Sequence, residues 1–217
     1  ELGIRYKPVP TAAEVAEAER QYAEVEAKYR GTAQWLKAPN GKPTNLNERQ
    51  WVQVRTKAFK DWFGDWENDP ANASKVVDEN GEPMVVYHWS AYEFSEFIMS
   101  GGGNTPGRID VGVWFTKEKE RSDAIPSASN IRMEVFLNIK TPKSYSALDD
   151  FFTDVTEMAE REAEDNGDEM YYDSINSIPY TADMYEKGYD GIYIDYDFES
   201  KTETYIALEK TQIKSAT

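Results

Sequence analysis

The constraint that narrows this chain most is an absence: its 217 residues include no cysteine and a single histidine, His88. Without cysteine there is no disulfide, no thiolate nucleophile and no sulfur-ligated metal, so the fold must stand on apolar packing. One histidine also excludes an H-E-x-x-H zinc helix, which leaves only an all-carboxylate metal site, and none is expected. Hydrophobic residues make up 40% of the chain, enough for one sizeable core, or for one domain with a helical appendage. No apolar run approaches the roughly 20 residues that a membrane-spanning helix needs, and no basic-then-apolar signal segment opens the sequence. The 40 acidic residues outnumber 24 basic ones and give a formal charge of -16. Nucleic-acid binding depends on neutralising phosphates, and a field of this sign opposes it.

The pattern of apolar residues divides the chain. Thr11 and Glu14 form a capping box ahead of Val15, Ala18, Tyr22, Val25 and Tyr29, whose alternating three and four spacing predicts a helix over 11–30 that Gly31 ends. The turn-rich stretch from Lys37 to Asn47 reads as a linker, so residues 1–46 are expected as an N-terminal helix and linker, and 47–217 as the main domain. A second helical region carries Trp51, Val54, Ala58, Phe59, Trp62 and Phe63 as a bulky apolar face, with Thr56 as N-cap and Gly64 as stop. Beyond Ser74 the pattern turns to strands. Lys75–Asp78 and Met84–His88 flank Glu79-Asn80-Gly81-Glu82, where Asn-Gly suits a tight hairpin turn, and His88 closes the second strand. Further strands are expected at Val111–Phe115, Met133–Ile139, Gly191–Asp195 and Glu203–Leu208. Helices are expected after Thr116 and over Leu148–Glu164. Strands and helices do not alternate regularly, which favours an α+β fold over a doubly wound sheet. From Asp149 to Asp173 there are eleven carboxylates and one arginine, Arg161, read as a solvated face.

His88 is the first candidate for chemistry, set in Val85-Val86-Tyr87-His88-Trp89-Ser90. A lone histidine at the end of an apolar strand is more often structural than reactive. A serine hydrolase fits poorly, since no G-x-S-x-G elbow presents a nucleophile.

Several strings taken in order supply more: Val54-Arg55-Thr56 with Phe59-Lys60 and Trp62-Phe63-Gly64-Asp65-Trp66; Tyr87-His88; Val113-Trp114-Phe115-Thr116; Val135-Phe136-Leu137-Asn138; Tyr189-Asp190-Gly191; and Gln212-Ile213-Lys214-Ser215-Ala216. From about Asn47 to the end, this series resembles the ADP-ribosyltransferase domains of the polyvalent proteins of phages and conjugative elements, within the superfamily with an H-Y-E type site. The resemblance implies an ADP-ribosyltransferase-like split β-sheet core behind an N-terminal helical region. It also implies a mono-ADP-ribosyltransferase that uses NAD as substrate, releases nicotinamide and modifies a protein acceptor. The alternative is a catalytically degenerate NAD-fold interaction module. The family setting implies a toxin or effector in conflicts of mobile elements, delivered into another cell.

The resemblance also assigns residues. His88 matches the histidine that fixes the adenosine-side ribose. Trp89 stands where glycine is usual, with its backbone placed to grip the nicotinamide amide and its side chain narrowing the pocket; Ser90 follows it in the cofactor site. Trp114 replaces the stacking tyrosine and is expected to face His88 across the dinucleotide slot, with Phe115, Thr116 and Ser122 as further cofactor contacts. Ile125 replaces a second stacking tyrosine. Gly101-Gly102-Gly103-Asn104 reads as a loop near the cleft. For the third catalytic position, Thr204 directly precedes the Tyr205-Ile206 pair and Glu203 lies one place earlier, while Gln212 is a further candidate. A carboxylate stabilises the oxocarbenium-like sugar of NAD cleavage better than an amide, which ranks Glu203 first. Lys201 is not the second glutamate associated with arginine-modifying toxins, so arginine specificity is not expected.

Overall fold

The computed structural model describes residues 10–94, 96–97, 111–120, 129–167, 177–197 and 201–217. Three N-terminal helices, α1 (Ala12–Tyr29), α2 (Glu48–Gln53) and α3 (Lys57–Phe63), precede β1 (Val86–Ser90), β2 (Val113–Thr116), β3 (Ile131–Leu137) and β4 (Pro142–Tyr145). Helices α4 (Leu148–Asn166) and α5 (Ile178–Glu186) follow, then β5 (Gly191–Asp197), β6 (Thr202–Ala207) and β7 (Ile213–Ser215). The strands form one mixed sheet in the order β4-β5-β6-β2-β1-β3-β7, in which only β4 and β5 run parallel among the pairs. The α+β expectation is met.

Local chemistry sets the helix ends. Thr11 and Glu14 make the reciprocal capping box of α1. Asn47 and Gln50 make a second one at α2, and Thr56 caps α3, whose stop is Gly64 at φ 102°. The helical region expected between Trp51 and Phe63 is therefore two short helices with a break at Val54–Thr56. Helix α4 ends at Gly167 in the left-handed conformation.

Strand alternation gives the sheet two differently covered sides. One, the helix side, carries two apolar layers. Val25 of α1, Trp51 and Val52 of α2 and Phe59 and Phe63 of α3 pack on Phe136 and Ala216 over the β3–β7 edge. Leu148, Phe151 and Val155 of α4 and Tyr180 and Met184 of α5 cover Ile192, Ile194 and Ile206 over the other half. The second side, the hairpin side, is closed by the turn segment around Val76 and Met84, packed on Val86, Phe115, Val135, Leu137 and Tyr205.

Two sequence expectations shift here. The hairpin around Asn80-Gly81 is present as a turn, with Gly81 at φ 79° and Asp78 N–H donating to the Glu82 carbonyl at 2.8 Å. Its ladder, however, is a single bridge, Val77 to Pro83, because Pro83 has no N–H to extend the pairing, and β1 starts only at Val86. His88 thus sits in mid-strand rather than at its end. The stretch 37–47 is packed rather than slack. Asn40 Nδ2 donates to Asn80 Oδ1 at 2.8 Å, Asn45 Nδ2 to Asp78 Oδ2 at 2.8 Å, and the Thr44 hydroxyl to the Glu82 carboxylate. Lys117–Glu120 are not helical, and the rest of the stretch where a helix was expected after Thr116 is outside the described residues.

Candidate active site

The site is built on a discontinuity in the sheet. β1 pairs with β3 along its whole length, Val86 to Ser90, but with β2 the register pairs Tyr87 with Thr116 alone. β2 in turn is fully paired with β6, from Val113 opposite Ala207 to Thr116 opposite Thr204. Gly112 at φ 66° lets β2 enter this close pairing, since a Cβ there would stand 2.2 Å from the Ala207 carbonyl oxygen. The His88–Ser90 backbone therefore faces β2 across a split.

The His88 ring closes that split. Its Nδ1 lies 2.9 Å from the carbonyl oxygen of Trp114. A carbonyl can only accept, so Nδ1 carries the proton and Nε2 keeps its lone pair in the neutral ring. Burial pushes the imidazole below its ordinary pKa, and the bond to the Trp114 backbone opposes the shift only in part. The ring packs edge-on against Phe97 at 5.3 Å and tilted against Phe115 at 5.6 Å.

Trp114 does not present its ring to His88. The indole lies on the helix side, edge-on to Phe151 at 5.7 Å and tilted against Phe152 at 6.5 Å, under α4. Its contribution to His88 is its backbone carbonyl. Strand alternation is the reason: adjacent residues point to opposite sides, and the position facing His88 is taken by Phe115, which is fully buried. The same alternation turns the Trp89 side chain away from His88, so it does not narrow that side; the Trp89 Nε1 is buried with no hydrogen-bond partner among the described residues. The Ser90 hydroxyl donates to the Tyr92 carbonyl at 2.8 Å and accepts from the Tyr92 amide, closing the turn that leaves β1. The Thr116 hydroxyl donates to the Glu118 carbonyl. Ser122, Ile125 and Gly101–Asn104 lie outside the described residues.

On β6, Tyr205 pairs with Phe115 and Thr204 with Thr116. Glu203 and Tyr205 hence share the hairpin side with Phe115 and His88, two strands and roughly 10 Å away. Thr204 points the other way, buried, and donates to Asp197 Oδ2 at 3.0 Å. Glu203 Oε1 lies 2.6 Å from Lys117 Nζ, and Oε2 accepts from the Tyr205 hydroxyl at 3.1 Å. The bond to Glu203 raises the Lys117 pKa, while burial followed by the Glu203 charge raises that of Tyr205. A cavity of about 340 Å³ opens here, lined by Glu203, Tyr205, Tyr193, Ser144, Pro142 and Ile139 among others. At this size it can hold part of a dinucleotide or an acceptor side chain.

Gln212 is engaged elsewhere. Its Oε1 accepts from the amides of Leu208 and Glu209 at 2.9 and 2.8 Å, and its Nε2 donates to the carbonyls of Asn138 and Asp190 at 3.2 and 2.6 Å. Those four bonds use the whole capacity of a carboxamide. Gln212 braces the turn before β7 beside a separate cavity of about 230 Å³. Sequence reasoning passed over Phe97, Lys117, Tyr193 and Asp195 around the site. The signal for the last two was available in the period-two alternation of Gly191-Ile192-Tyr193-Ile194-Asp195, which sets Tyr193 and Asp195 on one side.

Residues 78–217 match the family described as ADP-ribosyltransferase in polyvalent proteins. No curated protein and no solved structure matches the chain.

Proposed function

We propose, on the premise that this chain belongs to the family of ADP-ribosyltransferases in polyvalent proteins, that it is a mono-ADP-ribosyltransferase cleaving NAD and passing ADP-ribose to a protein acceptor. The observation that carries the reading is His88: a neutral imidazole anchored through Nδ1 at the mouth of a split between two strands. Its Nε2 lone pair suits the hydroxyl of a ribose, and the β1 backbone at Trp89, which the register with β2 does not reach, suits a carboxamide. Glu203 shares the sheet side of His88 and supplies the negative charge that an oxocarbenium-like sugar needs. Nicotinamide leaves as a neutral base, so no proton donor is required at the leaving group.

The test is nicotinamide release from NAD by the purified chain. His88→Ala and Glu203→Gln are each expected to slow it about 100-fold, the scale for removing one aligned electrostatic contact. Equal rates for wild type and His88→Ala would refute the assignment. A second reading, a binding module without catalysis, is favoured by one feature: both Glu203 oxygens already have partners, Lys117 and Tyr205. NAD then raises Tm without being consumed, whereas a catalyst does both.

A further inference from the structure

We infer that the cavity beside Glu203 seats the acceptor's side chain and is built for a guanidinium, which makes arginine the residue class modified. The inference rests on the transferase reading and adds the acceptor to it.

The argument is one of donors and acceptors. The Tyr205 hydroxyl spends its proton on Glu203 Oε2, and the Tyr193 hydroxyl spends its own on Asp195 Oδ1 at 2.9 Å. Each phenol oxygen can therefore offer the cavity only lone pairs. Neither phenol ionises near neutrality, because burial and the neighbouring carboxylates raise both pKa values. Among the described residues, the lysines that line the cavity or bond Glu203 are committed: Lys75 Nζ donates to the carbonyls of Pro70 and Ala71 at 2.9 and 2.7 Å, and Lys117 to Glu203. What remains is a surface rich in acceptors, with the Glu203 carboxylate in its lining and Asp195 behind Tyr193, on a floor formed by the Tyr193 and Tyr205 rings, whose centroids stand 5.2 Å apart. Such a surface repels the pyrophosphate of NAD and attracts a flat, donor-rich cation that can lie on an aromatic ring.

Sequence alone argued against arginine because position 201 is a lysine. The second carboxylate comes instead from the neighbouring strand. The register shifts beyond the pair Ile194 and Thr204, where β5 is irregular, but the Tyr193 hydroxyl holds Asp195 at 2.9 Å and the charges of both Glu203 and Asp195 act on Tyr205, so the two carboxylates flank the same pair of phenols. A planar guanidinium can offer separate N–H groups to two carboxylates; a lysine ammonium lacks the fork to do so. In the transfer, a guanidino nitrogen bonds to C1′ of the ribose as the bond from C1′ to nicotinamide breaks. Nicotinamide departs with that electron pair, and the nitrogen's surplus proton passes by way of the Glu203 carboxylate to water.

The experiment uses the full chain, with agmatine as the guanidinium probe and cadaverine as the ammonium control. Agmatine without NAD is expected to raise Tm, with an apparent affinity roughly tenfold weaker in Asp195→Asn and in Tyr193→Phe. With NAD present, agmatine should gain the mass of one ADP-ribose. If NAD is consumed but agmatine neither binds nor is modified, the pocket assignment fails while the transferase reading stands. If agmatine binds in an Asp195-dependent manner but NAD is never consumed, the guanidinium pocket is supported and the transferase reading fails. Equal binding of cadaverine overturns the choice of arginine.

Discussion

Arg55 and Glu82 form an ion pair at 2.8 Å whose side chains are 3% and 0% exposed. The guanidinium lies 3.7 Å from the Trp51 ring centroid and 5.0 Å from that of Trp66. It also donates to the carbonyls of Trp51 at 3.1 Å and Lys37 at 3.2 Å. Arg55→Ala removes every one of these contacts and strands Glu82 as a buried carboxylate, with the Thr44 hydroxyl as its remaining side-chain donor. Removing one partner of a buried pair costs about 3 to 5 kcal/mol, mostly the penalty on the charge left behind. With a urea m-value of about 2 kcal/mol/M, the unfolding midpoint should fall by about 1.5 to 2.5 M. The double variant Arg55→Met with Glu82→Leu removes both charges and fills the space, so it should recover most of that loss. Urea titration followed by tryptophan fluorescence reads all three proteins. A loss under about 1 kcal/mol in Arg55→Ala, or a double variant no better than the single one, would refute the argument from an uncompensated charge.

Three further outcomes follow from the site. The imidazole of His88 is held below its ordinary pKa of about 6.5. Below that value the unfolded chain takes up a proton that the folded chain resists, so the contribution of neutral His88 is complete above about pH 6.5 and shrinks as the pH falls toward the folded value; His88→Gln should flatten the decline of urea midpoints between pH 7 and 5. Gln212→Ala orphans two amides and two carbonyls and should cost about 3 kcal/mol with nicotinamide release per folded molecule unchanged; a stable but inactive variant would return Gln212 to the catalytic list. Trp114→Ala should cost about 3 kcal/mol by emptying the space over Phe151, and Trp114→Phe should keep both fold and activity. A well-folded Trp114→Phe that no longer releases nicotinamide would show that the indole touches substrate.

The elements written in periodic apolar patterns were the legible ones. Helices α1 and α4 and strands β2, β3, β5 and β6 lie within a few residues of their expected positions, because each presents an apolar stripe at its own period. Strand β4, Pro142-Lys143-Ser144-Tyr145, was missed: with one aromatic and no β-branched residue it has no strand signature of its own and is held by parallel pairing to β5. Strand β7 borrows its order from β3 in the same way. At the candidate site, His88 stood out in the sequence as the single imidazole, but its surroundings were not legible there. Which neighbour it meets depends on strand parity. Trp114 and Phe115 are both aromatic and both fit a pattern match, and only the pairing of β2 with β6 decides which points toward the imidazole. Gln212 was a candidate because its string is distinctive, and in the fold its carboxamide is taken up by four backbone groups.

The split between β1 and β2 bears on how any His88 variant should be interpreted. Where adjacent strands normally lock through successive amide bonds, here one rung at Tyr87 and Thr116 is supplemented by a ring nitrogen acting as a rivet. Alanine at this position withdraws the rivet along with the proposed ligand contact, so loss of activity can report either a vacated binding atom or two plates that have slid out of alignment. Asparagine, whose amide can still reach a carbonyl from a β-strand, separates these outcomes: it keeps the seam fastened while removing the distal nitrogen.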